Sequence, residues 1–231
     1  MVGDATRQRL LDEAEAMFAE RGYEGTSLRA LVVAAEANIA AVNYHFRSKE
    51  GLLRAVVDRA MAPVNAERER RLGELQTLGS PATLEQIVRA FVEPGLDLTR
   101  HHGVRGPAVA KFIGRVLFDP SRRIRELFAD QVDQVEGRYL DALRDAAPGA
   151  GAGAILFGYT SMLGLLALHQ AATFAALHWR HTSATSDSHD DRERLITFLT
   201  AGLSQILTGA QSATLRATAT SRRDSSSKRP R

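Results

Sequence analysis

The sequence predicts an all-α fold, with a small N-terminal domain of three helices followed by a larger helical body. Apolar residues recur at three- and four-residue spacing along nearly every long segment, and no stretch alternates long enough to suggest a strand. The separators between these segments contain glycine, proline and polar residues, which end helices. The length of 231 residues is sufficient to bury a large core in one or two domains.

The predicted helices are bounded by these separators. They cover residues 5–21, 27–35, 38–44, 48–70, 83–101, 105–117, 120–146, 151–179 and 190–209. Residues 212–231 are rich in Ser, Thr and Arg and have almost nothing to bury, so we expect them to be disordered.

The net charge of +3 does not by itself indicate a nucleic-acid partner. Residues 216–231 carry six basic residues and one acidic residue, so the chain before them has a net charge of −2. Such a basic tail can add non-specific affinity for DNA or can be an ordinary solvated end, and the sequence favours neither.

The absence of cysteine excludes disulfides, zinc–thiolate sites and a cysteine nucleophile. It fits a reducing compartment, and the N-terminus has acidic residues and no apolar stretch of the secretory type. We therefore expect a cytoplasmic protein.

Residues 146–179 contain no Lys, Arg, Asp or Glu, and a segment of that length could span a bilayer. It nevertheless starts with Pro148 and several glycines, and it carries Tyr159, His169 and His178. A segment this polar inserts poorly, which favours a helix packed between the core and a subunit interface.

Two short helices follow the first one closely. Thr26 or Ser27 is placed to cap the second helix, and after a tight break Asn38 can cap a third helix over 38–44. Two short helices joined by a turn of three or four residues form a helix-turn-helix, a motif of DNA-binding proteins.

The block that follows this motif carries a family resemblance. Tyr44-His45-Phe46 precedes Ser48-Lys49-Glu50 and Leu52-Leu53. The run from Gly22 to Leu53 resembles the DNA-binding domain of the TetR family of bacterial regulators. The resemblance implies a dimeric, one-component transcriptional regulator whose helical body forms an effector cavity and a dimer interface.

The third helix offers the residues that would contact base pairs, and we expect Ile39 and Val42 to face inward. Asparagine pairs well with an adenine edge, which suits Asn43, and alanine methyl groups can contact thymine methyl groups. The resemblance implies phosphate contacts by Thr26, Tyr44, His45 and Lys49. The predicted DNA-binding set comprises Thr26, Ser27, Arg29, Asn38, Ala40, Ala41, Asn43, Tyr44, His45 and Lys49.

Glu36 is a departure from the family pattern. The family usually has glycine in this turn, which indicates a positive φ. A residue with a side chain costs on the order of 1 kcal/mol in that conformation.

The last two predicted helices carry a candidate dimer interface. The resemblance implies that they form a four-helix bundle with the same helices of a second subunit. The candidates are Leu163, Leu166, Ala167, Leu195, Phe198, Leu199, Gly202, Leu203 and Ile206. The alternative is that these apolar stripes only close the core of one subunit.

Large side chains in the body are candidates for the lining of an effector cavity, although such residues also form ordinary cores. They are Phe91, Phe112, Leu117, Phe128, Val132, Tyr139, Phe157, Met162 and His169. This mostly apolar set favours an apolar or amphipathic effector. A narrower similarity of 38–46, Pro63 and 112–139 to the PsrA-type branch makes a fatty acid or acyl-CoA the leading hypothesis.

The sequence favours neither catalysis nor a metal or cofactor. The glycine run at 149–153 lacks a preceding strand and the Gly-Lys-Ser/Thr of a phosphate loop, and His178 and His181 lie at a predicted helix end. We predict a DNA-binding domain over 1–47, a connecting helix over 48–70, a ligand-binding and dimerisation domain over 48–211, and a basic tail over 212–231.

Overall fold

The computed structural model describes residues 2–117, 119–170 and 188–226. Within these ranges the regular elements are helices and no strand occurs, so the predicted all-α fold is confirmed. The elements are α1 (Val2–Arg21), α2 (Leu28–Ala34), α3 (Ile39–Phe46), α4 (Lys49–Gln76), α5 (Leu84–Leu96), α6 (Leu98–His101), a 3-10 turn (Gly103–Arg105), α7 (Gly106–Leu117), α8 (Arg122–Ala146), α9 (Ala152–Gln170) and α10 (Ser188–Ser226).

The predicted helices differ from the structure mainly at their ends. Helix α4 continues to Gln76 instead of ending at residue 70, because Gly73 alone does not stop a helix. The segment predicted as one helix over 83–101 is divided into α5 and α6 at Asp97, just after Pro94. The predicted end of α9, from residue 171 to 179, lies outside the described residues.

Helix α10 is longer than predicted. The prediction ended it at residue 209 and expected disorder from 212, whereas the helix continues to Ser226. No proline or glycine occurs between residues 210 and 226. The scarcity of apolar residues there argues against a packed core but not against a helix.

The chain divides into two compact units. The described residues within 1–70, 93–136 and 165–184 form unit 1, and those within 71–92, 137–164 and 185–231 form unit 2. Unit 1 contains α1–α3 together with most of α4, all of α6 and α7, and the first half of α8.

The core of unit 1 lies around α1, which packs against α2, α3 and α7. Leu10, Leu11 and Phe18 occur at helical spacing on one face of α1 and are fully buried. The ring of Phe18 stacks on Phe112 of α7, with the ring centroids 6.3 Å apart. The three N-terminal helices therefore pack directly on a helix from the body of the chain.

The core of unit 2 contains an aromatic cluster. Phe91 of α5 is fully buried and meets Tyr139 of α8 and Tyr159 of α9 edge to face, at centroid distances of 5.2 and 5.4 Å. Such pairs contribute about 0.5–1.5 kcal/mol beyond the burial of their area. At the edge of this unit Arg89 forms a two-pronged ion pair with Glu193 of α10, at 2.8 and 2.6 Å.

Helix α9 is the one described helix that is long and apolar enough, from Ala152 to His169, to cross a membrane. Only a third of that stretch is buried within the chain. A core helix of a soluble protein passes the same test of length and composition.

Candidate DNA-binding site

Both short helices of the motif begin with a side-chain cap. The Oγ atom of Ser27 accepts a hydrogen bond from the backbone N–H of Ala30 at 3.1 Å, at the start of α2. The Oδ1 atom of Asn38 accepts one from the N–H of Ala41 at 2.8 Å, at the start of α3. Each cap satisfies an N–H that has no partner within the helix, and it contributes about 1 kcal/mol. Ser27 and Asn38 thereby fix where the two helices start.

The turn between α2 and α3 requires a left-handed residue, as the sequence indicated. Glu36 has a φ of 46°, and the backbone N–H of Ala37 donates to the carbonyl of Val32 at 2.8 Å. This carbonyl lies in the last turn of α2 and would otherwise have no partner. The prediction of a positive φ at Glu36 is confirmed.

Thr26 lies beneath the motif and not on its surface. Its residue is 1% exposed, and its hydroxyl donates to the carbonyls of Gly22 at 2.8 Å and Met17 at 3.2 Å. These bonds tie the loop before α2 to the end of α1. The phosphate contact implied for the Thr26 side chain is therefore corrected to a structural role, because the hydroxyl points into the fold.

A recognition face, formed by Ile39, Ala40, Asn43 and Tyr44, is exposed on α3. Val42 is fully buried as predicted, but Ile39 is 42% exposed, so its predicted inward orientation is wrong. Ile39 is the first residue of α3, directly after the cap at Asn38. The recognition face carries no formal charge.

Tyr44 is exposed and His45 is half-buried at the C-terminal half of α3. Tyr44 is 84% exposed, and its ring meets that of His45 edge to face with the centroids 4.9 Å apart. Phe46, the next residue, is buried and lies under the guanidinium of Arg7, 5.6 Å from its ring centroid. Apart from the contact with His45, Tyr44 is left largely in solvent, whereas Phe46 is buried and anchors the helix.

Lys49 lies at the first position of α4 and turns back toward the loop before α2. Its ammonium donates to the carbonyl of Tyr23 and lies 4.1 Å from the centroid of the Tyr23 ring. Burial lowers the pKa of Lys49, while the nearby Glu24 opposes this shift. Burial also raises the pKa of Tyr23, with Glu50 adding to the effect. To reach a phosphate, the ammonium of Lys49 must either leave the Tyr23 carbonyl or donate to the carbonyl and the phosphate at once through different N–H groups.

A buried carboxylate joins α1 to two other segments of unit 1. The side chain of Glu15 is 3% exposed and accepts hydrogen bonds from Arg59 of α4 at 2.7 Å and from Arg105 at 3.1 Å. Arg59 also binds Asp12, one turn earlier on α1, at 2.6 Å. A charged group that has lost water is stable only when it is paired in this way.

A second contact joins α4 to the same part of the chain as Arg105. The ring Nε2 atom of His102 lies 2.9 Å from the carbonyl oxygen of Ala60. Because a carbonyl can only accept, Nε2 must carry the proton. Pro63 follows within α4 and has no N–H to donate to the preceding turn. Sequence analysis assigned no role to Glu15, Arg59 or His102, because their partners are far away in the sequence.

The residues predicted for the dimer interface are divided between buried and exposed positions. Leu166, Ala167, Leu199 and Leu203 are buried within the single chain. Leu163, Leu195, Gly202 and Ile206 are half-buried, and Phe198 is 67% exposed.

The structure adds Leu156 and Phe157 of α9 to the exposed apolar residues of unit 2, and Phe157 is 59% exposed. Together with Phe198 they form what we call the α9–α10 face. Helices α9 and α10 pack closely here, because a Cβ atom on Gly158 would lie 2.5 Å from Leu203 Cδ2.

The residues predicted for the effector cavity are likewise divided. Phe91, Phe112, Tyr139 and Met162 are fully buried, and Leu117 is half-buried. Phe157 and His169 are exposed, so the structure does not place them in a cavity within one chain. Phe91 already fills the aromatic cluster of unit 2 and Phe112 stacks in unit 1, so these two residues serve the core.

Some predicted residues lie outside the described part of the structure. This holds for the side chains of Phe128 and Val132 and for His178 and His181. Among the described residues, no group of three or more His, Asp or Glu side chains could hold a metal ion.

Comparison with known protein families decides the assignment. Residues 10–56 match the family of bacterial regulatory proteins named tetR, and residues 89–202 match the family described as Tetracyclin repressor-like, C-terminal domain. The chain belongs to the TetR family. This TetR-family protein is accordingly a DNA-binding transcriptional regulator with a helix-turn-helix.

The chain spans only about a third to about half of the length of the curated relatives that it matches. The chain is 42% identical over 66 residues to the HTH-type transcriptional repressor ComR of Escherichia coli (strain K12), which is 29% of this chain and 31% of ComR. It is 25% identical over 125 residues to YttP of Bacillus subtilis (strain 168), which is named as a probable HTH-type transcriptional regulator. That match is 54% of this chain and 56% of YttP.

Solved structures are similar over a larger part of the chain. A TetR-family transcriptional regulator from Streptomyces coelicolor has a TM-score of 0.56 at 20% identity, over 90% of this chain and 97% of that one. At this level of identity the likeness establishes the fold alone.

Proposed function

We propose that this TetR-family protein is a repressor that binds an inverted-repeat operator as a homodimer and is released by a small apolar or amphipathic effector. The observation that carries the proposal is the recognition face of α3. It is exposed, it is fixed by the caps at Ser27 and Asn38, and it ends in Tyr44, which is 84% exposed. The name of ComR as a repressor supports the direction of regulation.

The proposed DNA contacts follow from where the exposed side chains lie. The recognition face enters the major groove, where Asn43 pairs with an adenine edge. Tyr44, His45 and Lys49 approach phosphates at the groove edge, and Arg29 is exposed on α2 to do the same. The N-terminal N–H groups of α4 add an attraction for phosphate.

Dimerisation through the α9–α10 face supplies the second half of the binding site. Three large apolar side chains are 49–67% exposed there in one chain, and covering the exposed part would gain about 1–2 kcal/mol for each. A membrane is the less favoured occupant, because Gly158, Tyr159 and Met162 of α9 pack inside the protein. Two recognition helices must lie about 34–36 Å apart to enter successive major grooves.

The proposed release mechanism uses the contacts between α4 and the segment at 102–105. Arg105 and Arg59 hold the same carboxylate of Glu15 on α1, and His102 donates to the carbonyl of Ala60 on α4. An effector that displaces this segment would shift α1 and α4 together and change the spacing of the recognition helices. By linkage, operator binding must weaken effector binding by the same factor.

The effector class rests on the apolar composition of the body. A fatty acid or an acyl-CoA remains our leading hypothesis, with cytoplasmic location and no catalytic activity as further parts of the proposal. A thermal-shift screen tests the effector class. No rise in melting temperature with any long-chain acid or acyl-CoA would count against it.

Operator binding is tested by fluorescence anisotropy of the purified protein on the intergenic DNA upstream of its own coding sequence. Tight binding to one inverted repeat is expected, and it should be lost in a Tyr44→Ala/Lys49→Ala variant. Lys111→Ala, which removes an exposed cation from α7, is the control and should bind as the unaltered protein does. If the unaltered protein and both variants bind this intergenic DNA no more tightly than random DNA, the proposal that it contains the operator is wrong.

A further inference from the structure

The recognition face lacks several types of side chain that commonly bind base edges. Helix α3 contains no Lys, Arg, Gln, Asp or Glu from Ile39 to Phe46. Arginine and lysine bind the O6 and N7 atoms of guanine, and acidic side chains accept from the amino group of cytosine. The face therefore has no side chain of the kinds that most often bind the edges of G·C pairs.

The same face offers what A·T pairs require. Asn43 is exposed and can make two hydrogen bonds to the N6 and N7 atoms of adenine. Ile39 is the largest apolar side chain on the face and lies in the first turn of α3, the part of a recognition helix that meets base edges. Thymine is the one base that presents a methyl group in the major groove.

We propose that Ile39 binds the 5-methyl group of thymine and is a specificity-determining residue of this regulator. The inference rests on the proposed function and deepens it, because it states how one half-site is recognised. This contact would explain why an apolar side chain is exposed at this position. The protein leaves Ile39 uncovered, and a thymine methyl group covers it in the complex with DNA. The base pairs that Ile39 and Asn43 contact are accordingly A·T pairs.

The test begins with DNA that the protein itself selects. The full-length dimer is used to enrich sequences from a random double-stranded library, and affinity for the enriched site is measured by anisotropy at one salt concentration. Each thymine of that site is then replaced in turn by deoxyuridine, which keeps the base pair and the O4 acceptor but lacks the methyl group. Loss of one buried methyl group is expected to weaken binding about three- to fivefold at one position of each half-site.

The variant Ile39→Ala assigns that loss to a side chain. This variant should bind the site that contains thymine more weakly than the unaltered protein does. Its affinities for the sites with thymine and with deoxyuridine at the sensitive position should agree within twofold, because the contact between the side chain of residue 39 and the methyl group is already lost. Val33→Ala is the matched control on α2, where Val33 is also exposed, and Val104→Ala is the control for a fully exposed residue in the 3-10 turn. Both controls should retain the full effect of the methyl group.

The outcomes separate this inference from the proposed function. A site that is enriched but insensitive to every deoxyuridine substitution would overturn the role of Ile39 while leaving the regulator intact. A methyl effect abolished by Val33→Ala and retained by Ile39→Ala would assign the contact to α2 and overturn the inference as well. Failure to enrich any sequence, with equal affinity for all DNA, would overturn the proposed function together with this inference.

Discussion

Two faces of the described structure expose apolar side chains, and they differ in side-chain size and in their neighbours. The recognition face on α3 contains one branched aliphatic residue, a methyl group, an amide and a phenol. The exposed cation Arg47 directly follows α3, and Arg29 is exposed on α2. The α9–α10 face presents two phenylalanines and a leucine beside exposed small residues such as Gly153 and Ala201. Exposure alone therefore does not identify a partner.

The difference indicates which partner each face suits. A small, mixed face flanked by cations matches a hydrated groove between phosphates, where hydrogen bonds and single methyl contacts select the sequence. Large rings beside small residues match another protein surface, because small residues allow a second backbone to approach closely. The size and polarity of the neighbours separate the two cases.

The largest expected effect is loss of the dimer when a charge enters the α9–α10 face. Phe157→Asp and Phe198→Asp each place an unpaired carboxylate in the proposed interface, where it is costly to bury. We expect the dimer dissociation constant to rise on the order of a hundredfold, with partition into monomer in sedimentation experiments.

The control for these variants is Leu78→Asp, which charges an equally exposed apolar residue outside the face. It should remain dimeric. A dimer that persists in both phenylalanine variants would show that the α9–α10 face has another occupant. Recovery of the unaltered protein in the membrane fraction after cell lysis would identify that occupant as lipid.

Besides the stacked rings of Phe18 and Phe112, unit 1 contains a buried ionic cluster at Glu15, whereas the core of unit 2 contains the aromatic cluster around Phe91. Glu15→Gln removes the charge that pairs with Arg59 and Arg105, and it leaves two arginines competing for a neutral amide. We expect the free energy of unfolding to fall by about 2–3 kcal/mol, measured by urea denaturation. Asp12→Asn, at a half-exposed carboxylate on the same helix, should cost less than about 1 kcal/mol.

The smallest expected effect is a gain in stability at the turn of the motif. Glu36→Gly replaces a side chain at a φ of 46° with the residue that tolerates this conformation best, and it should stabilise the protein by about 0.5–1 kcal/mol. Glu36→Ala removes the same carboxylate without relieving the strain, so thermal melting should show no gain for this variant. Equal gains in both would mean that charge, and not backbone strain, is the cost at this position.

Local chemistry explains which features of the site could be predicted from the sequence. The cap at Asn38 depends on residues within four positions of each other and was predicted from them, whereas the positive φ at Glu36 was implied by the resemblance to the TetR family. Ile39 was assigned to the core because its helical spacing matches that of Val42. That spacing does not show whether a neighbouring helix covers the first turn of α3.

Features that depend on contacts between residues far apart in the chain could not be predicted from the sequence. The ion cluster at Glu15 joins residues 44 and 90 positions apart, and no pattern in one sequence connects them. Helix α9 is apolar on nearly all sides, so periodicity could not decide that Phe157 is exposed and Met162 buried. Packing of α9 against α5 and α10 makes that distinction.

The uncharged recognition face has a consequence for temperature. Attraction between cations and phosphates involves little apolar surface, whereas covering Ile39 with a base removes apolar surface from water and gives binding a negative heat-capacity change. Contacts of this kind weaken on cooling. Of the two proposed base contacts, the one between Ile39 and a thymine methyl group is therefore expected to contribute less to the choice of operator in the cold, whereas the hydrogen bonds of Asn43 involve little apolar surface.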